Sequence, residues 1–313
     1  MKRKDLLGIY DLSVGEIRIL LDEGKKYKKE LAEGKRNFDE LKGQTVVSLF
    51  FEASTRTRSS FEVAVKRLGA DFINIMANES TSVSKGETLL DTAKNLEAMN
   101  PDMLVLRHKI SGAPQLLAKK LRIPVINAGD GFHEHPTQAL LDALTIEEHF
   151  KTIKGLNVSI IGDIAHSRVA RSNIHLLKKL GARVTVCGPP TLIPPEIEKF
   201  KVNFKYKMEE AIDDADVVMM LRVQTERQNS QQFPSINEYH KFWALDAAKA
   251  KRLKENTIIM HPGPMNRGVE ITTEVADSKK SVILDQVTNG VAARMAVLKV
   301  FSNAGGDSVW QKK

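Results

Sequence analysis

Short apolar runs alternate with segments of helical spacing from about residue 44 to residue 300 of this 313-residue chain. The runs at 46–51 and 217–221 are almost continuously apolar, which is typical of strands buried on both faces. Such strands, joined through helices, predict parallel sheets that are covered by helices, an α/β fold. The length favours two doubly wound domains, and we place the division near residue 134.

Composition limits the classes of partner. The formal net charge is +8, and the basic residues are spread along the chain beside only four Tyr and two Trp. Because no zinc-finger spacing and no RNA-binding aromatic signature is present, nucleic acid is not favoured, and small anionic substrates or solubility alone explain the charge.

Cysteine usage and hydropathy bear on the compartment. Cys187 is the only cysteine, so no intramolecular disulfide is possible and a reducing compartment fits best. The first residues lack the apolar stretch of a signal peptide, and no run approaches the length that spans a bilayer. We expect a soluble, cytoplasmic protein that binds no membrane.

Polar clusters follow the predicted strands at 46–51, 103–106, 123–126, 158–161, 217–221 and 257–260. In open parallel sheets, ligands bind beyond the C-terminal ends of the strands. If the two halves face each other across a cleft, these clusters converge on one site.

The most informative cluster lies between the first strand and a predicted helix: Ser54-Thr55-Arg56-Thr57-Arg58. Apolar side chains then recur at helical spacing up to a stop at Gly69: Phe61, Ala64, Val65 and Leu68. A strand-to-helix junction offers backbone N–H groups and the positive end of the helix dipole, and hydroxyl and guanidinium groups add donors for a phosphoryl group. The alternative is a Ser/Thr helix cap beside two solvated arginines.

Two more strand ends carry candidate ligands for an anion. Arg107 could bridge a phosphate and a neighbouring carbonyl oxygen, or form a surface ion pair. His135, before Pro136 at a helix start, is either a cap or a neutral hydrogen-bond donor to a developing oxyanion. His133 and His135 suggest zinc, but only Glu134 lies nearby and no partner has ligand spacing, so we expect no metal.

The second half lacks the usual nucleotide motifs. A single glycine, Gly162, stands where a dinucleotide fingerprint needs three, and there is no Walker lysine, so we expect no cofactor. Arg168 and Arg222 could hold the two carboxylates of a dicarboxylic substrate by bidentate pairing. Alternatively, Arg222 lies at a helix start with local ion pairs.

Two loops complete the candidates. Residues 81–87 are polar and typical of an exposed mobile loop, in which Lys85 could also bind a phosphate. The segment His261-Pro262-Gly263-Pro264 predicts a rigid turn whose carbonyl groups could face a ligand.

These segments together resemble the aspartate/ornithine carbamoyltransferase family over essentially the full length of the chain. The resemblance is carried by residues 51–58, 84–87, 135–138, 222–224 and 261–268. The first of these is shared across the wider family, and the others are similar to the catalytic chains that use aspartate. Ornithine enzymes carry a His-Cys-Leu-Pro turn near the last strand, where this chain has His261-Pro262-Gly263-Pro264.

The resemblance implies a role for each candidate. It implies that carbamoyl phosphate is held through its phosphate by Ser54, Thr55, Arg56, Thr57 and Arg107. It implies that the carbonyl is polarised by Thr57, Arg107 and His135, and that the NH2 group is held by Gln138 and the backbone of Pro262 and Gly263. It implies that the aspartate carboxylates are held by Arg168, Arg222 and Gln224. Lys85 is expected to enter from a neighbouring subunit and touch both ligands, together with Thr81, where the family typically has Ser. Glu52 and Arg227 are implied to help set domain closure.

The resemblance also implies an architecture and a reaction. A carbamoyl phosphate-binding domain would span residues 1–134, with a C-terminal helix at about 288–313 returning to it, and an aspartate-binding domain would span 135–287. The reaction would convert carbamoyl phosphate and L-aspartate to N-carbamoyl-L-aspartate and phosphate, an early step of pyrimidine biosynthesis. A homotrimer with shared active sites is implied, and a regulatory chain or a dihydroorotase is a possible partner. The alternatives are an ornithine-type or other carbamoyltransferase, a non-catalytic anion-binding protein of the same fold, and a basic nucleic-acid binder.

Overall fold

The computed structural model describes residues 3–76, 86–223 and 235–302. The chain divides into two compact units. Unit 1 comprises Met1–Leu144 and Thr288–Lys313, and unit 2 comprises Thr145–Val287. The sequence analysis placed the division near residue 134, just before the helix Pro136–Phe150. The boundary between the two units lies inside that helix, after Leu144.

Each unit contains one parallel sheet. The strands of unit 1 are β1 (Thr45–Phe50), β2 (Asp71–Met76), β3 (Met103–His108) and β4 (Val125–Asp130). Those of unit 2 are β5 (Asn157–Ile161), β6 (Arg183–Cys187), β7 (Asn203–Lys205), β8 (Val217–Met220) and β9 (Ile258–Met260). The spatial orders are β2-β1-β3-β4 and β7-β6-β5-β8-β9, with every pair parallel.

Helices cover these sheets. In chain order they are α1 (Val14–Ala32), α2 (Thr55–Arg67), α3 (Leu89–Ala98), α4 (Ala113–Ala118), α5 (Pro136–Phe150), α6 (Arg168–Lys179), α7 (Met208–Ile212), α8 (Ile236–Trp243), α9 (Ala247–Ala250), α10 (Thr273–Ala276) and α11 (Ile283–Phe301). Two short 3₁₀ turns, Pro190–Leu192 and Ile197–Phe200, follow β6. The expected doubly wound α/β class is confirmed.

The C-terminal helix returns to unit 1, as expected. Lys299 on α11 donates through Nζ to Glu23 Oε2 on α1 at 2.8 Å, and the same ammonium lies 5.7 Å from the centre of the Tyr27 ring. This ion pair and cation–π contact tie the last helix to the first.

The central strands are buried as their apolar runs predict. Val46, Val47, Leu49 and Phe50 of β1 are each at most 2 % exposed. Leu104 and Leu106 of β3 pack with Val47 and Leu49 in one apolar cluster. Because β1 and β3 are the two central strands of the sheet, their C-terminal ends are held in place by neighbouring strands on both sides.

Helix α2 follows from its apolar spacing. Phe61, Ala64 and Val65 are fully buried, and the helix ends just before Gly69, as predicted. Gly69 has φ +81°, and a Cβ there would lie 2.9 Å from the carbonyl oxygen of Phe38. A glycine is therefore required where the chain leaves α2.

Strand β4 lies later than the sequence analysis placed it. We expected a strand at 123–126 and a loop from residue 129, but β4 continues to Asp130. Asp130 pairs with His108 of β3, and its N–H donates to the Glu134 carbonyl at 3.1 Å. The pairing with β3 and this local hydrogen bond extend the strand through a Gly-Asp pair that local propensity assigns to a turn.

No helix among the residues that the structure describes is long and apolar enough to cross a bilayer.

Candidate active site

The candidate residues of unit 1 gather where the sheet reverses its strand order. From β1 the chain adds β2 on one side and then β3 and β4 on the other. In open α/β sheets, the crevice at such a switch point, beyond the C-terminal strand ends, is where ligands bind. Residues 54–57 follow β1, and Arg107 lies in β3 opposite Phe50, the last residue of β1.

The N-terminus of α2 is open to a ligand. Ser54 is the N-cap residue, but its side chain makes no capping hydrogen bond. The first turn contains no acidic residue. Thr55 and Arg56 are exposed, and Thr57 is 7 % exposed. A helix start with its N–H groups, its dipole and nearby hydroxyl groups is suited to bind a phosphoryl group.

Arg107 is held on two sides. Its Nη1 donates to the carbonyl oxygen of Ala128 in β4 at 3.1 Å, and its Nε lies 3.3 Å from Glu52 Oε2. The Arg107 side chain is only 12 % exposed. The guanidinium is thus held between β4 and the segment that leads to α2, and its ion pair with Glu52 is largely buried.

The segment before α5 is organised by Asp130. Its Oδ1 accepts from Asn127 Nδ2 at 2.7 Å, and its Oδ2 lies 3.1 Å from His133 Nδ1. Glu134 accepts from the backbone N–H groups of Ile9 and Tyr10 at 2.7 and 3.0 Å. His133 and Glu134 therefore have structural partners, and within the described parts of the chain no group of three His, Cys, Asp or Glu residues is placed to hold a metal.

His135 and Gln138 lie at the start of α5, directly after that segment. His135 is 4 % exposed, and its carbonyl accepts from the backbone N–H of Gln138 at 3.0 Å. Gln138 Nε2 donates to the fully buried Asp142 at 3.0 Å. Because Asp142 takes the NH2 end of this amide, the oxygen Oε1 is the end suited to accept from a ligand NH2 group.

Unit 2 repeats the relationship at its own switch point. From β5 the chain adds β6 and β7 on one side and then β8 and β9 on the other. Arg168 is the first residue of α6, after β5, and is 4 % exposed. Arg222 is half-buried and follows β8 by two residues. Two guanidinium groups thus follow neighbouring parallel strands.

Close packing fixes the two strand ends that precede these arginines. Gly162 has φ +129°, and a Cβ there would lie 2.8 Å from the carbonyl oxygen of Leu221, just before Arg222. The buried Asp163 accepts from His166 N–H at 3.1 Å, and Ser167 caps α6 by accepting from Ala170 N–H. Gly162 thus permits the close approach of two strand ends.

The turn after β9 is held by hydrogen bonds to buried side chains. Gly263 has φ +67°, and its N–H donates to His261 Nδ1 at 2.8 Å. His261 Nε2 lies 3.1 Å from Glu270 Oε1, and Asn266 N–H donates to the same oxygen at 2.6 Å. Pro262 and Gly263 are therefore held by groups inside the turn and by a carboxylate outside it.

The structure adds residues that sequence reasoning missed and leaves some predicted ones undescribed. Asp142 and Glu270 were not singled out, although Asp142 stands four positions after Gln138, a spacing at which helical side chains meet. No comparable signal marks Glu270. Thr81, Lys85, Gln224 and Arg227 lie outside the described residues.

Two family models match successive parts of the chain. Residues 4–148 match the model of the aspartate/ornithine carbamoyltransferase carbamoyl-P binding domain. Residues 154–301 match the model of the aspartate/ornithine carbamoyltransferase Asp/Orn binding domain.

Solved structures share the fold at moderate identity. Aspartate transcarbamoylase from Trypanosoma cruzi, in complex with carbamoyl aspartate and phosphate, aligns with a TM-score of 0.86 at 30% identity, covering 95% of this chain and 96% of that one. Ornithine carbamoyltransferase from Pyrococcus furiosus aligns with a TM-score of 0.85 at 33% identity, covering 97% and 98%. Structural likeness by itself does not separate the two acceptors.

Curated relatives of higher identity are named for one acceptor. The aspartate carbamoyltransferase catalytic subunit of Acidiphilium cryptum is 58% identical over 300 residues, covering 96% of each chain. The catalytic subunit of the same name from Syntrophus aciditrophicus is 55% identical over 303 residues, covering 97% of this chain and 98% of its own. With matching family models over both parts and relatives of this identity, the chain belongs to the aspartate/ornithine carbamoyltransferase family.

Proposed function

We propose that the chain transfers the carbamoyl group of carbamoyl phosphate to the amine of L-aspartate, releasing N-carbamoyl-L-aspartate and phosphate. The observation that carries the proposal is the uncapped start of α2 beside the fixed Arg107 guanidinium at the switch point of unit 1. The acceptor rests on the relatives at 53% to 58% identity, which are named aspartate carbamoyltransferase catalytic subunits.

The phosphate of the substrate binds at the start of α2. The side chains and backbone of Ser54, Thr55, Arg56 and Thr57 surround it, and Arg107 reaches from the phosphate to the carbonyl oxygen. Both reactants are anions that repel one another, so this positive charge offsets the repulsion and lowers the free energy of bringing them together.

The chemistry is acyl transfer without a protein nucleophile. The aspartate amine attacks the carbonyl carbon, and Thr57, Arg107 and His135 donate hydrogen bonds to the oxyanion that develops. Removing one such donor typically costs about a hundredfold or more in rate. The leaving phosphate accepts the proton of the attacking amine, so no side-chain base is needed.

The carbamoyl NH2 group is oriented by acceptors. Gln138 offers Oε1, since its Nε2 donates to Asp142. The carbonyl groups of Pro262 and Gly263 serve the same NH2 group. Acceptors on this side of the substrate favour the NH2 over a second oxygen, and they hold the carbonyl oxygen toward the donors of the oxyanion.

The two carboxylates of aspartate pair with Arg168 and Arg222, and Gln224, outside the described residues, adds a donor. A guanidinium binds a carboxylate through two parallel hydrogen bonds, which fixes both the charge and the direction of the group. Ornithine carries an ammonium instead of the second carboxylate, so the second arginine would repel it.

The direct test compares acceptors. Phosphate release from carbamoyl phosphate should be rapid with L-aspartate and close to background with L-ornithine. A higher rate with ornithine would move the chain to the other branch of the family. Tight binding of N-(phosphonoacetyl)-L-aspartate without any turnover would indicate a non-catalytic anion-binding protein.

We further propose a homotrimer with shared sites, in which Thr81 and Lys85 contribute to the site of a neighbouring subunit. Mixing Arg56→Ala with Lys85→Ala chains should restore activity, because some mixed sites carry both native residues. No recovery after verified subunit exchange would contradict sharing. A regulatory chain or a dihydroorotase as a further partner can be tested by co-purification.

The proposed place of the reaction is the cytoplasm, in de novo pyrimidine biosynthesis. The chain has one cysteine, Cys187, and therefore no intramolecular disulfide, as suits a reducing compartment. Fractionation of cells with an antibody against the chain tests the location.

A further inference from the structure

We propose that the buried pair of His261 and Glu270 aims the Pro262 carbonyl at the carbamoyl group, as a positioning device for the reaction. The inference rests on the proposed function, in which that carbonyl accepts a hydrogen bond from the carbamoyl NH2. Neither residue touches the substrate in this proposal, and both act through the backbone of the turn.

Contacts on both ring nitrogens fix the tautomer of His261. Its Nδ1 accepts from the Gly263 N–H at 2.8 Å, so that nitrogen carries no proton. The proton is therefore on Nε2, which lies 3.1 Å from Glu270 Oε1 and donates to it. Both side chains are 0 % exposed, so water does not compete for either contact.

The hydrogen bond from Gly263 to His261 also sets the direction of the Pro262 carbonyl. The N–H of Gly263 and the C=O of Pro262 belong to one planar trans peptide and point in opposite directions. Because the N–H points at His261, the Pro262 carbonyl points away from it. A rotation of this one peptide would withdraw the carbonyl from a ligand without moving the strand that precedes it.

Glu270 holds the rest of the turn against the same imidazole. Its Oε1 accepts from Asn266 N–H at 2.6 Å as well as from His261. The backbone N–H of His261 donates to Gln286 Oε1 at 2.9 Å. Both ends of the segment 261–266 are thus fixed by side chains from outside it.

A purely structural turn does not need this arrangement. Two prolines and one glycine already restrict the backbone. A buried carboxylate and imidazole are costly to desolvate, and here the hydrogen bonds satisfy only Oε1 of Glu270, since Oε2 has no hydrogen-bond partner in the described structure. Their presence at the C-terminal edge of the sheet, after β9, is accounted for by the need to orient one carbonyl.

Two substitutions of His261 separate anchoring from stability. His261→Asn places an amide oxygen near the position of Nδ1, so it retains the acceptor for the Gly263 N–H and loses the hydrogen bond to Glu270. His261→Gln places an amide nitrogen near the position of Nε2, so it retains the donor to Glu270 and loses the hydrogen bond from Gly263. Glu270→Gln is the conservative control, since it keeps an acceptor oxygen for both donors.

For each variant, kcat is measured at saturating substrate concentrations, and the melting temperature is measured in parallel. We expect His261→Gln to lose about tenfold or more in kcat with little change in melting temperature, because the carbonyl loses its aim. His261→Asn should keep kcat within about threefold while melting earlier, because a buried carboxylate loses its partner. Equal losses of kcat in both variants, in proportion to their melting temperatures, would overturn the inference.

A binding readout keeps the inference apart from the proposed function. Phosphonoacetamide carries the phosphonate and the NH2 group of the substrate, whereas inorganic phosphate lacks the NH2. By calorimetry, the wild-type chain and His261→Asn should prefer phosphonoacetamide over phosphate, and His261→Gln should lose that preference. If His261→Gln keeps it, or the wild type never shows it, the inference is wrong. A wild-type chain with the preference but without carbamoyl transfer would overturn the proposed function alone.

Discussion

Glu52 and Arg107 form an ion pair at the end of the central strands of unit 1, with Oε2 and Nε 3.3 Å apart and both side chains less than one-fifth exposed. Glu52 follows β1 by two residues, on the chain that leads to α2. The pair therefore connects the guanidinium of β3 to the segment that leads to the proposed phosphate site. We therefore expect Glu52 to act on catalysis through the orientation of Arg107.

Replacing Glu52 should reduce catalysis, although Glu52 itself does not contact the substrate in the proposed site. Glu52→Ala leaves Arg107 anchored by the Ala128 carbonyl, so we expect kcat/KM for carbamoyl phosphate to fall about tenfold or more. Glu52→Gln keeps an acceptor oxygen and should lose less. Steady-state kinetics at varied carbamoyl phosphate checks the order, and wild-type values in Glu52→Ala would contradict it.

Arg56 should be essential for turnover and dispensable for folding. It is exposed in the first turn of α2, so Arg56→Ala removes a proposed phosphate ligand without opening a cavity. We expect a loss of a hundredfold or more in kcat/KM, by about the magnitude found when a charge-stabilising donor is removed, with an unchanged melting temperature.

The matched control for Arg56 lies on the same helix. Lys66 pairs with Glu62 at 2.7 Å on the exposed face, and its side chain is 65 % exposed. Such pairs contribute about 0–1 kcal/mol, so Lys66→Ala should leave activity and stability close to wild type. Comparable losses in both variants would show that charge on α2, rather than the position of Arg56, matters.

Local pattern was enough to predict α2 and the central strands, because their signals are short in sequence. The buried residues Phe61, Ala64 and Val65 recur at helical spacing, and the apolar runs of β1 and β3 exceed what a surface strand carries. The strand order was not predictable in this way, since it depends on pairings between distant segments such as Phe50 with Arg107.

The support of the site was harder to predict than the site itself. Ser54 and Arg107 are marked by residue type at strand ends, but Glu270 meets His261 only because the chain turns back after β9. The three-residue β7 and the helices α7, α9 and α10, of four or five residues each, carry too little periodicity to stand out. Tertiary packing, not propensity, holds them.

Asp142 and Arg294 are expected to be coupled in stability. Arg294 on α11 is 3 % exposed, and burial lowers the pKa of its guanidinium to about 10, opposed by the charge of Asp142. Arg294 Nη1 donates to Ser60 Oγ on α2 at 3.1 Å. Asp142→Ala should therefore destabilise the fold, because it removes a buried carboxylate whose charge favours the buried cation.

A double variant provides the control for that prediction. Asp142→Ala with Arg294→Met removes both charges, and it should be more stable than Asp142→Ala alone in urea denaturation. If the stability losses of Asp142→Ala and Arg294→Met alone add up to the loss of the double variant, the two residues are not coupled.

The last prediction concerns Cys187 and alkaline pH. Burial raises the pKa of this thiol to about 12, with the carboxylates of Glu209 and Glu210 adding to the effect. In the unfolded chain the thiol titrates near its ordinary value of 9.0, so above that pH the unfolded state binds fewer protons than the folded one. Stability from this group is complete below pH 9 and is lost as pH rises toward 12, at about 1.4 kcal/mol per pH unit.

Cys187→Ala should flatten that part of the urea-denaturation profile, although the lost sulfur lowers stability at pH 7. A thiol reagent at pH 8 should modify the wild-type chain only upon unfolding, and rapid modification of the native protein would show that the thiol is accessible and its pKa not raised.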